Sequence, residues 1–542
     1  MPRLRCRFVT NCLFLWLIFS LVANLTWAQS ETATVSGQVV DPSGLNITGA
    51  QVKLVDIDRD TTTIVTTNTT GLYTFPSVRP GRYRMEVTAT GFKVINVTGV
   101  TVNVQDHLEQ NFKLVVGSIS ESITVEGGAP LVDTESATVS TVVDRQFAEN
   151  LPMNGRSFQT LIELTPGVVL TTSSSFSDGQ FSVNGQRADS NYWMIDGVSA
   201  NIGMSSNAGA SDTLSGSLGG FSAQGGTNSL VSVDAMQEFR IQTSTFAPEF
   251  GRTPGGQISI VTRSGTNQFH GTIFDYFRND LLDASNWFNG FTNVPPLRQA
   301  EEHQNDFGGT LSGPIFKNRT FFFFSYEGLR LRLPLTSLSM VPDASYTQGT
   351  TNSRQNATAA MQAFMNAYPL PGLNSSEIPC NPTYFPCPQS GETGLAALNA
   401  SYSNRSTLDA ASLRVDHRPN DKLTLFGRYN YAPSGLLQRP GNIGGLALNV
   451  LDDIRIPTQT ATFGTTWTLS TVLTNDVRVN YSRVSAISSY RLDNFGGAVP
   501  FSNSLAGLPS PYTVQNSEVQ VYAYSFFAGL NAGGVTAQIQ RQ

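Results

Sequence analysis

In the carboxyl-terminal half of the chain, apolar and polar residues alternate with a period of two over segments of about ten residues. In 422–431, Leu423, Leu425, Tyr429 and Tyr431 share one side of an extended strand, and Lys422, Thr424, Arg428 and Asn430 share the other. In 461–470, Phe463, Trp467 and Leu469 oppose Thr462, Thr466, Thr468 and Ser470. In 477–482, Val477, Val479 and Tyr481 oppose Arg478, Asn480 and Ser482. Each strand therefore shows two different surroundings to its two faces. The connections are unequal in step with this pattern. FKNR at 316–319, RPND at 418–421 and TVLT at 471–474 are short turns. Long segments alternate with them, at about 279–304, 331–406, 433–457 and 486–517. Short turns at one end and long loops at the other, with apolar residues facing out, predict a membrane β-barrel wall. A soluble sandwich has no reason to keep the asymmetry.

Composition supports this. Charged residues are 14% of the 542, against about 25% in ordinary soluble domains. The 48 Gly, 33 Phe and 16 Tyr suit a barrel with aromatic girdles and small polar residues inside. A net charge of −6 and a pI near 5.4 argue against nucleic acid as a partner. The first 28 residues read as a cleaved secretory signal. Arg3, Arg5 and Arg7 precede an apolar run at 11–25, and Thr26-Trp27-Ala28 offers the cleavage site. The alternative is a retained anchor, but the run is short of the ~20 residues a spanning helix needs. Cys380 and Cys387 enclose a loop in the longest exterior segment. Their spacing fits a disulfide in an oxidising compartment better than a zinc site.

Three further regions precede the wall. Residues 30–116 contain about seven short strands rich in β-branched and aromatic residues, which predicts a β-sandwich. Ser36-Gly37-Gln38-Val39, Gly71-Leu72-Tyr73-Thr74-Phe75, Pro80-Gly81-Arg82-Tyr83 and Gly91-Phe92 resemble the carboxypeptidase regulatory-like domain, which is not catalytic. A hinge at 117–130 carries the β-prone run Glu121, Ser122, Ile123, Thr124 and Val125, followed by Glu126. It reads either as a last sandwich strand or linker, or as a segment resembling the TonB box. The latter would offer a strand to the energy-coupling protein TonB by β-augmentation. Residues 131–266 read as a mixed α/β plug domain. A helical stretch lies within 144–164, short strands follow, and 200–228 reads as a long mobile loop. Little in this region predicts a large dry core.

A resemblance covers nearly all of the mature chain. Its carrying phrases are Leu151-Pro152-Met153-Asn154-Gly155-Arg156, Leu164-Thr165-Pro166-Gly167-Val168, Ser182-Val183-Asn184-Gly185-Gln186-Arg187, Ile195-Asp196-Gly197-Val198, Glu249-Phe250-Gly251-Arg252 and Thr262-Arg263-Ser264-Gly265-Thr266-Asn267. Phe321-Phe322-Phe323-Phe324-Ser325-Tyr326-Glu327 continues it into the wall. The chain resembles the Oar-like TonB-dependent outer-membrane receptors. That implies a plug inside a large barrel, a bacterial outer-membrane location with the amino-terminal domain in the periplasm, and TonB as partner. It also implies contact with membrane lipid, the barrel assembly machinery and an extracellular ligand.

The resemblance implies barrels of about 22 strands, whereas 267–542 shows about eight. The ending GGVTAQIQRQ lacks the amphipathic pattern and a terminal aromatic residue. A barrel of about eight strands has no room for a plug, so the expected wall is incomplete and the chain a fragment. The expected fold class is mainly β: an amino-terminal β-sandwich, a mixed α/β plug and part of a transmembrane antiparallel β-barrel. No catalytic, cofactor or metal constellation stands out, and four scattered histidines suggest none. The chain therefore reads as a transporter, with a surface adhesion protein as the alternative, and not as an enzyme. Arg187, Arg240, Arg252 and Arg263 are candidates either to brace plug against wall by ion pairs or to lie solvated in the lumen.

Overall fold

The computed structural model describes residues 31–118, 122–126, 138–150, 159–170, 181–187, 190–203, 219–246, 250–251, 253–284, 299–344, 353–372, 394–439, 446–470, 473–501, 510–512, 517–522 and 529–542. The candidate pair Cys380 and Cys387, the residues Glu121 and Arg252, and the signal segment lie outside them.

The sandwich contains β1 (Ala33–Val40), β2 (Gln51–Asp56), β3 (Thr61–Thr66), β4 (Leu72–Val78), β5 (Gly81–Thr88), β6 (Val94–Val102), β7 (His107–Glu109), β8 (Phe112–Lys113) and β9 (Ser122–Glu126). One sheet runs β4-β1-β7, with β8 also on β1; the other runs β3-β2-β5-β6-β9. Alternate residues point inward, so Val35 and Val39 of β1 meet Val52, Leu54, Phe75, Met85 and Val87 in one dry core. Gly37 has no room for a side chain, because a Cβ there would lie 1.9 Å from the Gln110 carbonyl oxygen. The same oxygen accepts the Tyr73 hydroxyl at 2.6 Å.

The inner domain contains β10 (Val139–Asp144), α1 (Arg145–Asn150), α2 (Gln159–Ile162), β11 (Val168–Leu170), β12 (Phe181–Val183), β13 (Tyr192–Ile195), β14 (Val198–Ser199), β15 (Met236–Ser244) and β16 (Gln257–Thr262). Its main sheet has the order β10-β15-β16-β13-β14. Contrary to the expectation of little dry core, Trp193, Phe181, Phe239, Ile241, Ile258 and their neighbours form a closed apolar cluster. Every member but Phe323 comes from the inner domain. The expected mobile loop is also corrected in part. Residues 219–230 are ordered and almost all buried, and only 204–218 lie outside the described residues.

The wall contains β17 (His270–Asn279), β18 (His303–Phe316), β19 (Thr320–Pro342), β20 (Leu395–Asn420), β21 (Leu423–Gln438), β22 (Val450–Ser470), β23 (Leu473–Leu492), β24 (Glu518–Tyr522) and β25 (Gly529–Arg541). They form one nine-stranded sheet, β17-β18-β19-β20-β21-β22-β23-β25-β24. It is an open sheet whose free edges, among the described residues, are β17 and β24. The alternation predicted from sequence holds: Tyr429, Phe463, Trp467, Val479 and Tyr481 are exposed on the outer face, while Arg428, Thr462 and Ser482 are buried on the inner one.

Two expectations about the wall are corrected. The terminal GGVTAQIQRQ is strand: β25 pairs antiparallel with β23, with Ser485 opposite Ile539. Backbone hydrogen bonds to an existing edge carry it without strong amphipathicity. In addition, much of what reads as long loop is strand. β19, β20 and β22 have 23, 26 and 21 residues, where about 9–11 cross a bilayer. Beyond the membrane both faces leave lipid, the alternation loses its cause, and the sequence stops announcing a strand.

At the long-connection end lie α3 (Ser353–Asn356) and α4 (Ala359–Asn366). The buried Arg354 guanidinium donates to the carbonyls of Pro342 (3.1 Å), Met365 (2.8 Å), Tyr368 (3.2 Å) and Pro369 (2.5 Å). Tyr368 lies in an apolar cluster with Ala367, Leu446, Val450 and Leu530. The sandwich lies at the opposite, short-turn end, where Arg418 donates to the Thr62 carbonyl at 2.7 Å.

Val479→Arg places a cation on the outer face of β23. At mid-bilayer such a change costs about 2–4 kcal/mol. Urea titration of the protein folded in lipid vesicles is expected to show a loss of that order, against no loss for Val479→Leu.

Candidate functional site

The densest polar contact lies where the inner domain, the wall and the sandwich meet, at the Asp416 carboxylate on β20. The strand's alternation turns this side chain inward, and it is buried. Oδ1 accepts from Arg79 Nη1 of the sandwich at 2.8 Å and from Arg414 Nη2 of the wall at 3.1 Å. Oδ2 accepts from Arg414 Nε at 3.0 Å and from Ser264 Oγ, at the end of the inner domain, at 2.6 Å. One carboxylate thus takes donors from three domains. Such charge-assisted bonds are the strong ones; the two from Arg414 are buried and those from Arg79 and Ser264 half-buried.

The network continues inward. Arg414 Nη1 donates to Asp196 Oδ1 at 2.8 Å and to Thr262 Oγ1 at 2.9 Å, and its guanidinium lies 4.5 Å over the Phe426 ring. Asp196 sits in the two-residue Asp196-Gly197 turn between β13 and β14, with φ of 50° and 78°. An Asp-Gly pair takes these left-handed angles readily, and the tight hairpin aims the carboxylate at the wall. Asp196 also accepts from the Thr262 backbone N–H at 3.0 Å and is 3.9 Å from Arg428 Nε. Arg478, also on the wall, stands 3.5 Å from Glu31 at the start of the described chain. Burial, and then the Asp196 charge, push the Glu31 carboxyl up to about 7 against the pull of Arg478, Arg414 and Arg79.

A second contact ties the sandwich to the inner domain. The β6–β7 turn inserts Val104, Gln105 and Asp106 against β15 and β16. The Val104 N–H donates to Glu238, and Arg240 pairs with Asp106. Gln105 donates to Ser259 Oγ at 2.9 Å and accepts from Gln242 at 2.9 Å. Burial pushes the Glu238 carboxyl up to about 8. Asp106 and Asp144 add to the rise, while the Val104 N–H and Arg240 oppose it.

A third contact lies higher in the wall. Glu327 of β19 is buried and accepts from Asn228 and Ser232. Arg428 donates to the Leu230 carbonyl at 3.0 Å, and Asn430 to that of Ser229 at 3.1 Å. Ile202 and Ala223 pack on Leu436, Ile454 and Val484. Two cavities remain at the junction. One, of about 370 Å³, lies between sandwich and wall beside Arg59, Arg319, Arg418 and Arg478. The other, of about 410 Å³, lies beside Arg82, Arg145, Arg263 and His270.

The sequence-predicted arginines are distributed among these contacts unequally. Arg240 reaches the sandwich rather than the wall. Arg263 donates to the Asp234 carbonyl at 2.9 Å and stacks 4.9 Å over Phe323 of the wall. Arg187 is exposed in the turn after β12. Ser122, Ile123, Thr124 and Val125 lie in β9, on the edge of the sandwich. The wall arginines Arg414, Arg428 and Arg478 were missed as site residues. Their signal was available for Arg428 and Arg478, cations at inward positions of an otherwise apolar-out strand. Among the described residues no group of three or more His, Cys, Asp or Glu is arranged to hold a metal ion.

Comparison with known proteins adds the following. A family described as "Outer membrane beta barrel domain" matches residues 261–542, and "Carboxypeptidase regulatory-like domain" matches 34–115. The chain is 26% identical over 309 residues to "TonB-dependent transporter Oar" of Myxococcus xanthus, covering 55% of this chain and 27% of the relative. It thus spans about a quarter of the length of that curated relative. Among solved structures it is similar to the outer membrane transporter YddB from Escherichia coli, with a TM-score of 0.44, 14% identity, and 74% of this chain and 44% of that one covered. The siderophore receptor PiuA from Acinetobacter baumannii gives a TM-score of 0.34 at 12% identity, over 74% of this chain and 53% of that one.

Two outcomes are expected at the junction. Asp416→Ala removes the acid partner of the half-buried Arg79 and one of the two acid partners of the buried Arg414, and lowers stability by about 3–5 kcal/mol, seen as a lower denaturant midpoint and faster proteolytic release of the sandwich. The Glu238 contact is pH-dependent. Its folded pKa, about 8, exceeds the ordinary 4.5. The folded state therefore binds more protons between these values, and stability falls as pH rises. The contact is fully stable below about 4.5 and weakens progressively to about 8. Thermal midpoints across this window are expected to fall in the parent and to fall less steeply in Glu238→Gln, where the Glu31 carboxyl, pushed up to about 7, still contributes.

Proposed function

The chain belongs to the outer membrane beta barrel domain family, and we propose that it acts as a TonB-dependent receptor and transporter. Its wall sits in the bacterial outer membrane, with the short-turn end and the sandwich towards the periplasm. The observation that carries the reading is the buried charge network of Asp416, Arg414, Asp196 and Arg79. It fastens a compact inner domain to the polar side of a sheet whose other side is apolar. In this reading the inner domain is a plug that closes the lumen. A large or scarce ligand meets the outer rim, and TonB engages the segment at 121–126. Pulling there parts the plug from the wall at the junction. Unpaired strand edges in lipid cost several kcal/mol per group, so the free edges of β17 and β24 are paired by further wall strands when the cylinder is closed.

A surface-binding protein without transport is the second reading. It is favoured by the wall strands that run far past the length needed to cross a bilayer and by the ledge built on Arg354. The two readings separate on one experiment. The chain in detergent is titrated with the periplasmic domain of a TonB-class protein, with and without residues 121–125. Transport predicts binding that the deletion abolishes while membrane insertion persists. Equal or absent binding in both forms overturns the transport reading and leaves adhesion.

A further inference from the structure

β9 is not a free tether. Its five residues pair in parallel with β6, from Val94 opposite Ser122 to Thr98 opposite Glu126. It is the last strand in the order β3-β2-β5-β6-β9, and among the described residues nothing pairs with its outer edge. Ser122 and Thr124 are exposed and Ile123 is half-buried. In a strand, the backbone N–H and C=O groups of alternate residues point to opposite edges. Half of those in β9 therefore point away from the sandwich and await a partner.

We propose that the sandwich is a docking platform that presents β9 as a ready-made edge, and that a periplasmic partner adds an extended strand there, lengthening this sheet from five strands to six. The inference rests on the reading of 121–126 as the TonB-engaging segment. It differs from capture of a loose peptide in one respect: β9 stays on β6 while bound. Two physical arguments favour this. A free segment must lose its conformational freedom when it binds, whereas pairing with β6 has already ordered these five residues. The platform is also anchored. Arg79 holds it to Asp416 of the wall, and Asp106 holds it to Arg240 of the inner domain. A pull on β9 reaches the three-domain carboxylate through a folded body rather than through a slack chain. The partner's required chemistry is modest: an unpaired strand edge of its own, with main-chain groups carrying the recognition.

The test locks the two strands together. Asn96 and Thr124 are directly opposed in the β6–β9 register, so Asn96→Cys with Thr124→Cys places two thiols within bridging reach. The full chain carrying both substitutions is titrated with the periplasmic domain of a TonB-class protein, oxidised and then reduced. Platform docking predicts that the oxidised form binds within about threefold of the reduced form, or more tightly. A loss of more than about tenfold on oxidation, reversed by reductant, means that β9 must leave β6, and overturns the proposal. Failure of the disulfide to form overturns the parallel pairing itself. Absence of binding in the reduced form, when the parent chain binds, removes these side chains' tolerance and counts against main-chain recognition. Absence in the parent as well overturns the TonB reading on which the proposal rests.

Discussion

The arrangement of the three domains depends on the Asp416 carboxylate. It has two oxygens and four donors, and the donors come from the sandwich, the wall and the end of the inner domain. Burying a carboxylate is tolerable only when its lone pairs are filled and its charge is met. Arg79 and Arg414 meet the charge, and Arg414 is balanced in turn by Asp196 on the inner domain. A shift of any one of the three bodies breaks a charge-assisted bond to this carboxylate. The contact is strong while intact and is weakened when any donor is withdrawn.

The sandwich belongs to this unit rather than hanging beneath it. Its β6–β7 turn inserts polar groups against β15 and β16, its Arg79 reaches the wall, and Asn267 of the connecting segment donates to the Arg59 carbonyl at 2.6 Å. The comparison with the regulatory-like family concerns residues 34–115. The pairing of β9 with β6 lies just beyond that stretch, at the point where a separate domain would pass into a linker.

Sequence made the wall legible because its two faces meet different surroundings: Tyr429 outside and Arg428 inside are neighbours with opposite needs. It could not say which arginine meets which acid. Arg414 and Asp196 are 218 positions apart, and no local pattern records a pairing between domains. The inner core was hidden for another reason. β16 is buried along its whole length, Gln257 and Ser259 included, and a strand covered on both faces shows no alternation. The outer halves of β19 and β20 were missed because they leave the lipid that imposes the pattern.

Those outer halves carry, among the described residues, a ledge with its own internal fastening. A single guanidinium, that of Arg354, gathers four carbonyl groups from two separated segments and fixes the ledge beside the strand ends. On the proposed transport reading, selection at such a ledge is by prior shape, closer to a mould than to a grasp, and new specificities arise in the segments it supports while the membrane-embedded sheet stays as it is.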